Sequence, residues 1–157
     1  MSRFLFAFLV VFSAKPTLGQ TFTAAHIDSR KRIVATTTAG PVRVLAKSGR
    51  YSDPELSDDQ LTIVWQVLST IQYHGAPIEV SSRVNWYRGA RSHSFSAGVF
   101  LVRSVWFVER GQRIGVNIGG MHFAGLNVLL DASTGKELDS FADLEKATKP
   151  IPGWVEP

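Results

Sequence analysis

Four histidines, His26, His74, His93 and His122, are the side chains best suited to proton transfer or metal ligation, yet none stands in an H-x-H or H-x-x-x-H pattern. The chain has no Cys, so thiolate ligands, Cys nucleophiles and disulfides are excluded. Ser92-His93-Ser94 sets hydroxyls beside an imidazole. Neighbours on a strand point to opposite faces, however, which argues against a Ser-His pair. Asp58-Asp59 and the pair Asp143/Glu145 fall where loops or caps are expected, and carboxylates there serve turns. There is no G-x-S-x-G elbow and no glycine-rich phosphate cradle. The expectation is no catalytic residue, no metal ligand and no cofactor.

Binding surfaces are better represented. Gly119-Gly120-Met121-His122-Phe123-Ala124-Gly125 is a soft loop that can bring backbone close to a ligand, which makes Met121, His122 and Phe123 candidates. Tyr87, Arg88 and Arg91 flank a tight Gly89-Ala90 connection, and loop tips are normally exposed. Trp65, Trp86, Tyr87 and Trp106, with Tyr51 and Tyr73, offer material for an aromatic platform for sugars or peptides, although strand tryptophans more often fill a core.

The elements that must position these groups read as strands. Val105 to Val108 is apolar and β-prone, Glu109-Arg110-Gly111-Gln112 is a turn, and Arg113 to Ile118 alternates Ile114, Val116 and Ile118 with wetter positions. Asn127 to Leu130 is a further strand, turned back by Asp131-Ala132-Ser133-Thr134-Gly135 into Lys136 to Phe141. Earlier, Ile33 to Thr38 and Val42 to Ala46 suggest a hairpin broken at Gly40-Pro41, preceded by a polar segment, Gln20 to Arg32, anchored on Phe22 and read as a loosely held arm or an edge strand. Leu61 to Ser69 shows both helical spacing and a β-branched, aromatic run, and we favour a strand covered on both faces. Tyr73 to Pro77 reads as a loop, and Ile78 to Tyr87 with Ser92 to Ser96 as a hairpin. Val99 to Val108 suits a central strand with a bulge near Arg103 and Ser104. A helical turn over Ala142 to Ala147 precedes a tail held down by Trp154.

The two halves repeat weakly with a period of 51 residues, Ser57 to Trp65 aligning with Val108 to Val116. Phe107 to Val116 resembles the "F-S-P-D-G-K-x-I-A" turn of bacterial TolB-like and WD40-like β-propeller blades, and Leu130 to Lys136 resembles their "D-x-x-T-G-K" turn. The likeness spans residues 57 to 141, with Glu109-Arg110 replacing the Pro-Asp of the first turn. It implies a mainly β fold of antiparallel sheets with two blade-like β-meander units, at about 57–96 and 99–141, in a partial propeller or sandwich-like arrangement. Propellers typically close with four or more blades, so two units imply an open β domain or a ring completed by copies. TolB-like propellers are envelope interaction platforms, so the resemblance leans toward binding.

The first nineteen residues pair a positive start, Met1-Ser2-Arg3, with an apolar run from Phe4 to Phe12 and small residues before Gln20. That run is roughly half the ~20 residues a bilayer span needs, which points to a cleaved export signal. The expected organisation is a signal peptide over 1–19, an arm and first strand over 20–41, a β domain over 42–148 and a tail over 149–157. Lys and Arg exceed Asp and Glu by 17 to 13, and loss of Arg3 and Lys15 with the signal leaves an excess of only two. Arg30-Lys31-Arg32 then reads as a solvated segment, not a nucleic-acid patch. The expectation is an exported, periplasmic or extracellular, non-enzymatic module with no transmembrane segment after cleavage. It would bind another protein or envelope component or assemble with copies of itself. The competing expectations are a small hydrolase using His122 or His93 with a distant carboxylate, and a structural subunit of an envelope assembly pairing through edge strands.

Overall fold

The computed structural model describes residues 21–38 and 40–155. The expected signal segment, 1–19, lies outside them; among the described residues no helix is long and apolar enough to cross a membrane. The fold is mainly β, in three antiparallel sheets. The first is the meander β1 (Phe22–Ile27), β2 (Ile33–Thr37), β3 (Gly40–Ala46). In the second, the short β4 (Glu55–Leu56) precedes two long strands, β5 (Thr62–Tyr73) and β6 (Ala76–Arg88), and an edge strand, β7 (Arg91–Ser96). The third runs β8 (Leu101–Val108), β9 (Arg113–Gly119), β10 (Leu126–Asp131), β11 (Glu137–Ala142). The two units read from the sequence thus correspond to two four-stranded meanders.

The second sheet is the middle layer. Alternation along β5 sends Ile63 and Trp65 toward Phe22, Ile33 and Ala35 of the first sheet. Val64, with Val84 and Trp86 of β6, packs on Ile114, Val116, Val128 and Leu130 of the third. Thr62 to Trp65 is therefore buried on both faces, which is why β-branched and aromatic residues run there without a polar break. Trp86 is wholly buried, and its indole N–H donates to the carbonyl of Ala132 at 2.8 Å, tying the middle sheet to the third.

Three sequence expectations change. Of the two readings of the segment before Arg32, the loose arm gives way to the edge strand: β1 lies at the edge of the first sheet, paired with β2, and Phe22, 3% exposed, is a core residue. β3 runs through positions 41 and 42 and pairs with β2. Residues 73–77 are not a loop, because His74 and Gly75 both take positive φ (48° and 82°) and close β5 onto β6 in a two-residue turn. Pro77 sits where β6 has no partner on its other side, β7 pairing only from Arg83 onward. Finally, β8 is an edge strand, not a central one; its apolar residues are covered by the middle sheet instead of by a further strand. The bulge at Arg103 falls where the sequence placed it. The tail is held through Trp154, whose carbonyl accepts from the Trp106 indole at 2.8 Å and whose own indole donates to Asp139 at 3.0 Å.

Candidate functional site

The six candidate residues separate into two groups. Met121, His122 and Phe123 lie beside the β5–β6 turn, whereas Tyr87, Arg88 and Arg91 lie at the far end of β6. At about 3.3 Å per residue, the length of β6 puts the groups roughly 35–40 Å apart. They do not form one surface.

At the first end, the loop after β9 and the β5–β6 hairpin border a cleft of about 390 Å³, lined by Gln66, Leu68, Ser81, Leu101, Arg103 and Met121 among others. The bulge in β8 turns Arg103 toward the loop, where its guanidinium donates to the carbonyls of Gly120 and Phe123. A Cβ at Gly119 would come within 2.7 Å of that guanidinium carbon, so a side chain there would push the guanidinium aside. From the other side, the Tyr73 hydroxyl and His122 Nε2 are hydrogen-bonded at 2.7 Å, and the Tyr73 ring meets His74 edge-on, with centroids 4.2 Å apart. The loop is thus held at Gly120, His122 and Phe123 while the Met121 and Phe123 side chains stay 42% and 71% exposed. The hydrogen-bond partner of His122 is a phenol, not a carboxylate, so the geometry gives it no acid-base dyad.

The second end is built differently. The Arg88 side chain turns inward, 13% exposed, and its Nη1 donates to Asp59 Oδ2 at 2.9 Å, Thr62 Oγ1 at 2.5 Å and the Gly111 carbonyl at 2.9 Å. The Thr62 hydroxyl in turn donates to the Gly111 carbonyl at 2.9 Å, joining the middle sheet to the β8–β9 turn. Burial pushes the Asp59 carboxyl up, but bonds from the Ser57 hydroxyl, the Leu61 N–H and Arg88 outweigh it and hold the pKa below the ordinary value. Tyr87 packs edge-on against Phe22 with centroids 5.9 Å apart, and the Arg43 guanidinium lies 5.6 Å from its ring centre. Arg91 alone of the three is exposed, on a shallow depression with Leu61, Gly89 and Ser133.

The other chemical candidates are also placed. His93 stacks on Trp86, with ring centroids 5.4 Å apart, while Ser92 and Ser94 take the opposite face of β7, as strand alternation requires. Trp65 and Trp86 are core residues, 3% and 0% exposed, so no aromatic platform is built from them. Among the described residues, no three His, Cys, Asp or Glu side chains are grouped to hold a metal ion. Sequence reasoning missed Arg103 and Tyr73 as positioning residues. The polar interruption in the apolar run of β8 was the available signal for Arg103; nothing local to Tyr73 pairs it with a loop forty-nine positions on.

No family model, curated protein or solved structure matches the chain.

Proposed function

We propose that this chain is an exported, non-enzymatic interaction module that takes a protein or envelope component on the Gly119–Gly125 loop. The observation that carries the proposal is the pairing of exposed Met121 and Phe123 with a backbone fixed by Arg103 and by the Tyr73–His122 bond. Exposed apolar side chains cost little to bury in a partner, and a loop already held in place loses little entropy on binding. The likeness of the turns to TolB-like blades and the signal-like start favour an envelope setting.

Site-specific photocrosslinking tests the proposal. A benzophenone side chain at position 123 should give a discrete adduct in cells. One at Val42, which is 57% exposed on β3 of the first sheet, should not. His122→Ala should weaken the adduct while leaving the circular dichroism spectrum unchanged. Identical labelling from both positions would remove the loop as the partner surface. Fractionation of cells expressing a C-terminally tagged chain would test export: the product should lack the first nineteen residues and leave the cytoplasm.

A further inference from the structure

The small net charge conceals how unevenly the charges are shared. Residues 21–52, which form the first sheet and the segment leaving it, carry six Lys and Arg against one acid, Asp28; residues 53–157 carry nine against twelve. The first sheet is an outer layer that packs on the middle sheet through Phe22, Ile33 and Ala35, so its excess of positive charge lies on one side of the molecule. We propose that this layer docks on an anionic lipid bilayer through Arg30, Lys31 and Lys47, independently of the Gly119–Gly125 loop.

The few acids in reach are already engaged. Asp28 pairs with the Arg32 guanidinium at 2.6 Å and accepts from the Arg30 and Arg32 backbone N–H groups. Glu79, carried in by the β5–β6 hairpin, pairs with Arg50, and the Arg43 guanidinium lies against the Tyr87 ring. Arg30, Lys31 and Lys47 are exposed, and none has an ion-pair partner among the described residues. The fold brings them together. Ile33 pairs with Ala46, and the Gly49 N–H donates to the Lys31 carbonyl at 3.0 Å, so the β1–β2 turn and the chain leaving β3 sit side by side. Arg30 and Lys31 alone are a solvated turn; Lys47 extends them into a patch.

Long cationic side chains on turns reach lipid headgroups without a fixed geometry. Each one near an anionic bilayer strengthens binding about fivefold, so three together give about a hundredfold. Val44, 51% exposed and paired with Val34 close to the Ile33–Ala46 pair, offers an apolar side chain to the interface beside them. A single-stranded nucleic acid would want rings to stack on, and here Phe22 is buried and the Tyr51 hydroxyl is tied to the Lys47 carbonyl.

Co-sedimentation of the full chain with vesicles tests the proposal, using phosphatidylcholine alone and phosphatidylcholine with phosphatidylglycerol in equal parts, at about 0.1 M salt. The apolar start of the chain is kept in every variant, so its contribution is common to all. The parent should prefer the anionic vesicles. The triple variant Arg30→Gln/Lys31→Gln/Lys47→Gln should lose about a hundredfold of that preference with an unchanged circular dichroism spectrum. Arg91→Gln/Arg110→Gln/Lys136→Gln removes the same net charge from exposed positions on the other two sheets and should lose less than about threefold. Three results would overturn the proposal. One is equal sedimentation of the parent with both kinds of vesicle. Another is an equal loss in the two triple variants, which would make net charge the cause. The last is binding to double-stranded DNA or polyglutamate that the first triple variant abolishes, with vesicle binding that it leaves intact.

Discussion

Replacing Arg88 with Met separates a structural arginine from a binding one. The Arg88 side chain donates from a single nitrogen to Asp59, Thr62 and Gly111, and Asp59 is itself only 17% exposed. Met keeps most of the apolar stem but removes the charge and all three bonds. The Gly111 carbonyl keeps its bond from Thr62, so the main loss is the charge-assisted contact to Asp59 and the stranding of that carboxylate. A hydrogen bond to a charged group is worth about 1.5–3 kcal/mol, and removing one partner of a well-buried pair costs about 3–5 kcal/mol. Residual solvent at the pair argues for the lower range, about 2–3 kcal/mol. For a domain near this size that lowers Tm by about 5–10 °C. Urea unfolding followed by tryptophan fluorescence measures the change. The double variant Arg88→Met/Asp59→Asn should recover part of the loss, because no uncompensated charge then remains. An Arg88→Met chain with an unfolding free energy within about 0.5 kcal/mol of the parent would refute the structural role.

Two further outcomes follow from the same packing. A Cβ on Gly115 would lie 2.0 Å from the Trp106 indole, so Gly115→Ala should displace that ring, break its bond to the Trp154 carbonyl and cost about 1–3 kcal/mol. Faster proteolysis of the tail and a changed near-ultraviolet spectrum would register it, and an unaltered tail would contradict the packing. Asp131, through the Thr134 hydroxyl, and Asp143, where Lys146 and Asn127 outweigh burial, share with Asp59 a carboxyl held below its ordinary value. A depressed folded pKa contributes stability in full above the unfolded value of about 3.9 and loses it as pH falls through the folded one. The urea midpoint should therefore hold level from about pH 7 to 5 and fall below about pH 4, less steeply in Arg88→Met because Asp59 then titrates closer to its unfolded value.

Local signals carried most of the fold. The alternation of Ile114, Val116 and Ile118, the Asp131–Gly135 turn and the polar interruption at Arg103 each depend on nearest neighbours, and each is found as read. The double-sided burial of Thr62 to Trp65 was also legible, because a strand between two sheets needs no polar face. Errors arose where a local pattern had two solutions. Tyr73 to Pro77 contains loop residues, but two positive φ angles make it a tight turn. Gln20 to Arg32 fitted a loose arm or an edge strand, and Phe22 in the core decides for the strand.

The sequence by itself determined a β chain without cysteine chemistry, its two meander units and the loop bearing Met121, His122 and Phe123. The direction of each side chain across sheets was decided only by tertiary structure. Arg88 sits in a tip-like sequence but turns inward because Asp59 and Gly111, far apart in the chain, converge there as acceptors. Tyr73 meets His122 because a long hairpin carries it to the loop after β9. Such pairings are set by how the sheets stack, and sheet stacking depends on residues throughout the chain.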